Sequence, residues 1–253
     1  PNEVDLSWES DIDGVFSTDG ADSSGGVTVS VDSLSAGDHV VTVTATDTDG
    51  LFVTDTVSFN LNEPPTAPTV TLEPDPATTN QMLVATASGS VDPEGTGTVT
   101  YAYEWFEDGV PSPESSSATF PASATGKHHI YRVQVTASDG LVESAFGYAE
   151  ANVINSEPVL SGPTLSAATA VMGDVLTCTA SATDIDPEDS PTVTYEWSDG
   201  STGPTYTVTM SDAVGGTITC TATADDADGG TATGTASATV INNRPDVSDI
   251  VLT

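Results

Sequence analysis

The residues of this chain with most chemistry to offer are carboxylates crowded into short turns. The stretch "DVLTCTASATDIDPED" (Asp174 to Asp189) ends with Asp184, Asp186, Glu188 and Asp189, and "TITCTATADDADGGTATG" (Thr217 to Gly234) holds Asp225, Asp226 and Asp228. Two further turns carry Asp92 with Glu94 and, separately, Asp139. Calcium takes six to eight oxygen ligands in flexible geometry, and a short Asp-x-Asp loop supplies several of them from one turn. The same residues also favour tight turns for backbone reasons alone, so an ordinary acidic turn is the competing reading. No EF-hand loop is present, because "DTDG" (Asp47 to Gly50) lacks the following pattern and its terminal Glu.

Other chemistries find little support. His39 in "GDHVV", and His128 and His129 in "GKHHIY", all fall where a strand begins, and the matching place further along the chain reads Gly-Thr. That variation fits a structural position. No Gly-x-Ser-x-Gly elbow, phosphate-binding glycine loop or Cys/His zinc pattern occurs. The chain is expected to be non-catalytic.

Composition narrows the partners. Three Lys plus Arg stand against 38 Asp plus Glu, for a formal charge of -35. Such a surface repels phosphate, which argues against nucleic acid and anionic membrane and leaves metal cations as plausible ligands. No run approaches the ~18 apolar residues of a membrane helix, so direct membrane insertion of this segment is not expected. Hydrophobic residues make up 37% and alternate regularly, which favours folded strands over an acidic disordered tail.

The elements that hold these turns repeat. "VVTVTATDTDGLFVTDTVSFNLNEPP" (Val40 to Pro65), "RVQVTASDGLVESAFGYAEANVINSEP" (Arg132 to Pro158) and the segment Thr217 to Pro245 each run strand, acidic glycine turn, strand, then an Asn-rich exit ending in proline. Asn62, Asn155 and Asn242 recur at intervals of 93 and 87 residues, and Trp8, Trp105 and Trp197 at 97 and 92. Each tryptophan precedes an Asp-Gly turn, so a shared core position explains the three better than a sugar-stacking platform does. Each repeat reads as strands A and B, an acidic BC loop, a Trp-bearing strand C, further hairpins, strand F, an acidic FG loop and strand G, with valine and threonine throughout as β-propensity expects.

Cys178 falls in strand B, Trp197 in C and Cys220 in F, which resembles the Cys–Trp–Cys arrangement of immunoglobulin domains. The "NEPP", "SEP" and "NNRP" junctions, "YEW" strands and "DG" turns are similar to the tandem Ig-like, PKD-like and cadherin-like repeats of large bacterial surface proteins. The resemblance implies an all-β chain of tandem immunoglobulin-like β-sandwich domains in an extended rod. It also implies a Cys178–Cys220 disulfide, with two reduced buried cysteines as the alternative; a formed bridge requires an oxidising compartment. The matching pair in the second repeat aligns as Ala85 and Val135, and Val43 holds the F position of the first. Antibody-type domains carry a tyrosine two residues before the second Cys, where this chain has Ile218.

The expected division is 1–63, a partial repeat with strands C to G; 64–157, a full repeat; 158–243, a full repeat with the disulfide; and 244–253, the first strand of a further repeat. Trp8 has only seven residues before it, whereas Trp105 follows Pro64 by 41, so strands A and B of the first repeat are missing. Either the segment belongs to a longer array, or the tail of one copy completes the open first domain of the next. In the Ig topology the BC and FG loops lie at the pole where one domain hands over to the next. Joint one would then gather Asn62, Glu63, Asp92, Glu94 and Asp139. Joint two would gather Asn155, Glu157, Asp184, Asp186, Glu188, Asp189, Asp225, Asp226 and Asp228. As in the cadherin-like proteins it resembles, Ca2+ at these joints would stiffen the array.

The expected function is an extracellular or cell-surface structural or adhesive array of bacterial type, part of a fibre, stalk or giant adhesin. Its partners would be neighbouring repeats of the same chain and other copies in a filament. The alternative is a spacer or a carbohydrate- or protein-binding module of a secreted enzyme.

Overall fold

The computed structural model describes residues 4–95 and 98–243. The proposed fourth-repeat strand, 244–253, lies outside them. The described chain is all-β apart from a single 3-10 turn at Ala122–Ala124, and no helix is long and apolar enough to cross a membrane.

Alternation decides the strands. In the strand Ile130–Ser138, Tyr131, Val133, Val135 and Ala137 are fully buried on one face, while the residues between them face outward. This period of two is what a sheet with one covered face requires.

The first repeat forms one sheet. Its strands are β1 (Val4–Ser10), β2 (Gly14–Ser17), β3 (Gly37–Asp47) and β4 (Phe52–Leu61), in the order β2-β1-β3-β4. These are strands C, C′, F and G of an immunoglobulin sheet. Residues 18–36 contain no strand, so the hairpins expected between C and F are absent apart from β2.

The second repeat forms two sheets. Strands β5 (Thr69–Glu73), β6 (Ala77–Thr78), β7 (Leu83–Ser88), β8 (Thr100–Glu107), β9 (Val110–Ser112), β10 (Thr119–Phe120), β11 (Ile130–Ser138) and β12 (Gly147–Ile154) assemble as β10-β7-β5 facing β6-β12-β11-β8-β9. The third follows the same plan. Strands β13 (Val159–Leu165), β14 (Thr169–Ala170), β15 (Val175–Thr183), β16 (Thr192–Trp197), β17 (Thr205–Thr207), β18 (Thr217–Asp225) and β19 (Thr231–Val240) assemble as β13-β15-β17 facing β14-β19-β18-β16. In both, strand A changes sheets: its first half pairs antiparallel with B, its second parallel with G. In the second repeat Pro74 and Pro76 mark the crossing, where residues without N–H groups release the strand from its ladder.

Two of the three tryptophans, Trp105 and Trp197, are core, and Trp8 holds the same strand position half-buried. Trp105 and Trp197 are 0% and 2% exposed, and each indole N–H donates to a backbone carbonyl after strand C: Trp8 to Asp19, Trp105 to Ser117, Trp197 to Gly203. Across the sheet Trp8 faces Val43, Trp105 faces Val133 and Trp197 faces Cys220. The residue matching Cys220 in the second repeat is therefore Val133. Val135, which the sequence alignment suggests, lies two residues further along, opposite Tyr103.

Two residues before Val133 stands Tyr131, whose hydroxyl donates to the Ala124 carbonyl (3.0 Å) and accepts from the Gly126 N–H (3.1 Å). This is the tyrosine corner of Ig domains, and burial pushes its phenol up to about 12. The second repeat thus has the corner and no disulfide. The third has Ile218 there and the Cys178–Cys220 disulfide, with Cα atoms 6.5 Å apart.

Among the described residues, no second sheet covers the first repeat. Trp8 is only half-buried, and Leu6, Val43, Ala45 and Val53 help to line a shallow cavity of about 440 Å³ against its inner face. The cross-strand register shows that this face differs from its counterparts. Val53 occupies the place of Gly147 and Gly234, and Asp55 that of Ala149 and Ala236. In the complete repeats strand A passes so close over these glycines that a Cβ on Gly147 would overlap the Pro68 carbonyl oxygen, and one on Gly234 would lie 2.8 Å from Pro163 Cδ. A strand following that path over the first repeat would meet the Val53 side chain.

Two outcomes follow from this packing. Gly147→Ala forces Cβ against backbone and should lower the unfolding free energy by about 1–3 kcal/mol, measured by urea titration. Cys178→Ala with Cys220→Val removes a 42-residue cross-link, which the chain-entropy account values at roughly 4 kcal/mol as an upper figure. Calorimetry should show the third repeat's transition falling while the second repeat's stays in place.

Candidate metal centre between the second and third repeats

Three segments meet where β12 hands over to β13. They are the linker 155–158, the BC loop 184–191 and the FG loop 226–230. A fourth, the turn before β11, reaches in from the second repeat with Lys127 and His128.

The FG loop is folded by its own acid. Asp226 Oδ1 accepts the N–H groups of Asp228 (2.7 Å) and Gly230 (2.9 Å). A Cβ at Gly230 would overlap Asp226 Oδ2 and approach Asn155 Nδ2 at 3.0 Å, so a larger residue there would displace the Asn155–Asp226 bond. The other oxygen, Asp226 Oδ2, accepts from the Asn155 amide (2.8 Å). The BC loop turns in the same manner: Asp184 Oδ1 accepts the Asp186 N–H (2.9 Å), and Asp186 Oδ2 then accepts the Ser156 N–H of the linker (2.8 Å).

Joint one is clamped on the same scheme. Asn62 donates its amide to Asp139 Oδ2 (2.9 Å), and the Glu63 N–H donates to Glu94 Oε1 (2.6 Å). Asn62 and Asn155 are therefore the exit residues that tie each linker to the next repeat's FG loop. Asp139 also accepts the Leu141 and Val142 N–H groups. Asp92 is buried in the BC loop.

What separates the two joints is convergence. One oxygen each from Asp184, Asp186 and Asp189 lie within 4.8 Å of one another, the single such trio of acidic, histidine or cysteine groups among the described residues. Each carboxylate leaves a buried oxygen with no hydrogen-bond donor: Asp184 Oδ2, Asp186 Oδ1 and Asp189 Oδ2. Asp186 is 1% exposed. At an effective dielectric of about 20, two like charges this close repel by at least about 3 kcal/mol per pair. A hard divalent cation would relieve that repulsion, and carboxylate oxygens are the donors it prefers. The trio therefore fits calcium. The Ser156 hydroxyl, also buried without a partner, is a neutral oxygen on the adjoining linker.

Of the other acids anticipated here, Asp225 is exposed and caps the Ala227 N–H, while Glu157 and Glu188 are exposed and outside the trio. Asp226 and Asp228 brace the joint instead. Lys127 enters unannounced by the sequence, which shows it only as one of three bases in a histidine-rich strand approach. It donates to Asp189 Oδ1 (2.6 Å), Asp228 Oδ2 (2.6 Å) and Asn155 Oδ1 (3.1 Å), and His128 shares Asp228 at 2.7 Å. Burial opposes the Lys127 charge, but the bonds to Asp189 and Asp228 outweigh it and hold the ammonium above the ordinary lysine value. Lys127 and His128 in turn hold Asp228 below the usual carboxylate value. For Asp226, burial works upward and is overcome by the Asn155 amide and the loop N–H groups.

His39 is accounted for by the core. It is 1% exposed, stacks on Phe59, directs Nε2–H to the Ser35 carbonyl (2.7 Å) and accepts from Ser10 Oγ at Nδ1 (2.7 Å). Ser10 is itself 1% exposed, so this Ser–His pair is closed to substrate.

No protein-family model matches the chain, and no curated protein matches it in sequence. Solved structures are similar at the level of architecture. The three N-terminal domains of the highly immunogenic outer capsid protein of bacteriophage RB49 are 16% identical over 96% of this chain and 90% of that one, with a TM-score of 0.37. The N-terminal eight Ig domains of Down Syndrome Cell Adhesion Molecule are 14% identical over 95% and 33%, at 0.39. A Ca2+-stabilised adhesin that helps an Antarctic bacterium bind ice is 18% identical over 96% and 66%, at 0.32. This chain spans a third of the second and just under two thirds of the third. Scores this low carry no argument about ligand or partner.

The depressed acids predict a pH response. A carboxyl whose folded pKa lies below its unfolded value of 3.8 stabilises fully above 3.8, and that contribution is lost as pH falls through the lower folded value. Asp226→Asn should therefore lower the third repeat's melting temperature at neutral pH, and the gap to wild type should close below pH 3.8.

Proposed function

We propose that this chain is a non-catalytic, extracytoplasmic segment of a bacterial surface fibre, stalk or adhesin. Its sandwiches follow one another as a rod, and Ca2+ at the second joint stiffens it. The observation that carries this reading is the trio Asp184, Asp186 and Asp189, with its buried, donor-free oxygens at the junction of two repeats.

Several features support a mechanical role. A disulfide belongs in an oxidising compartment. The linkers are short and contain Pro64, Pro65 and Pro158, which restrict bending. Trp105, Trp197, His39 and the two cysteines are all engaged in packing. The surplus of 35 negative charges keeps rods apart and sheet edges soluble, an effect screened beyond about 8 Å at physiological ionic strength. The clamps at Asn62 and Asn155 give each unit its nearest-neighbour contact, the form of energetics in which an array lengthens by adding units. Neighbouring repeats, and other copies in a filament, are the partners this reading assigns.

The test is calorimetric titration with Ca2+ after chelation, followed by small-angle scattering. Saturable binding, a raised melting temperature and a narrower distribution of lengths are expected for wild type. Asp186→Asn should abolish the binding and leave the second repeat's own transition unchanged. Absence of saturable binding to wild type would remove calcium from the account.

A further inference from the structure

We propose that Lys127 is a tethered cation that locks the second joint without any metal. The first joint has no counterpart to it.

An ammonium has three N–H donors. Those of Lys127 meet three acceptors on three different segments: Asn155 Oδ1 on the linker, Asp189 Oδ1 on the BC loop and Asp228 Oδ2 on the FG loop. The lysine itself belongs to the second repeat, so one side chain joins it to both acidic loops of the third. It is held closely, with its side chain 12% exposed and that of Asp189 8%. The His128 ring, on the same turn, adds a further bond to Asp228. A charge pair this enclosed is screened far less by salt than a surface pair.

Counting back from the strand F residue that faces the tryptophan shows how specific this is. Lys127 stands six residues before Val133, and six before Val43 stands Gly37, which has no side chain to reach across. Asp38 follows it and accepts from Asn60 within its own repeat. Among the described residues, joint one therefore has the Asn62–Asp139 and Glu63–Glu94 clamps and no basic side chain bridging its loops. Joint two has the clamp and a cation built into the chain. Asp189 stands between the two functions, one oxygen on Lys127 and the other donor-free beside Asp184 and Asp186. A metal at the trio would then reinforce a joint already closed.

The metal arm of this inference rests on the calcium reading above, and the lock itself does not. The experiment is 15N relaxation on the whole segment in excess EDTA, comparing the tumbling of second- and third-repeat amides. Wild type should tumble as one body across joint two. Lys127→Met keeps the stem and removes the charge, and should lose that common tumbling; Asp228→Asn, which leaves the trio intact, should lose it too. The double variant should be no worse than Lys127→Met alone, because the Lys127–Asp228 bond that Asp228→Asn weakens is already gone when the ammonium is removed. Common tumbling retained in Lys127→Met, or strictly additive effects in the double variant, would overturn the lock. Adding Ca2+ to Lys127→Met separates the two claims. Restored common tumbling supports both, whereas no restoration in a variant whose EDTA state has come apart defeats the calcium reading and leaves the lock standing.

Discussion

The contact on which the rest of this structure depends is the strand C tryptophan laid against the facing residue of strand F. In the complete repeats it is fully enclosed, Trp105 on Val133 and Trp197 on Cys220. Because side chains alternate across a strand, settling that one pair settles which face of every neighbouring residue is buried. It also settles where strands B and F leave the sheet. The BC and FG loops then emerge together at one pole, whatever their own sequence, and the acid they carry arrives at a shared place. A packing contact thus determines the site of an electrostatic one.

Around that invariant contact the repeats use different fastenings. The second repeat closes its E–F corner with the Tyr131 hydroxyl, and the third joins its two sheets with a disulfide. Each repeat that encloses its tryptophan also leaves a glycine under strand A, Gly147 and Gly234, so that the strand can cross close to G. The first repeat has Val53 and Asp55 on that face. It keeps the tryptophan and the strand order and departs where strand A would lie.

The joints show the same economy. An exit asparagine and a backbone N–H bind one carboxylate from each loop of the following repeat, at both junctions. These bonds orient the loops but leave the acid uncompensated. At the second junction the BC loop brings Asp184, Asp186 and Asp189 together, and Lys127 neutralises one edge of the group. A single ammonium balances a single carboxylate, which is why the trio still presents donor-free oxygens.

Much of this was legible in the sequence because it rests on period and spacing. Alternation of valine and threonine with polar residues determined the strands; the recurrence of Trp, Asp-Gly and Asn-Pro signals determined the repeats, the all-β class and the loops that bear the acid. The Cys178–Trp197–Cys220 order pointed to the bridge through its resemblance to Ig domains. Other features depended on partners distant in the chain. The pairing of Trp105 with Val133 in place of Val135 turns on a two-residue choice between valines that alternation cannot distinguish, and Tyr131 was hidden behind it. Which acids converge was decided by loop conformation, since Glu188 lies between Asp186 and Asp189 in the chain and is exposed and outside the trio. Lys127 is 62 residues from Asp189 and 101 from Asp228. No local pattern encodes such a meeting, because it exists only once the loops of one sandwich have been brought against the turn of another.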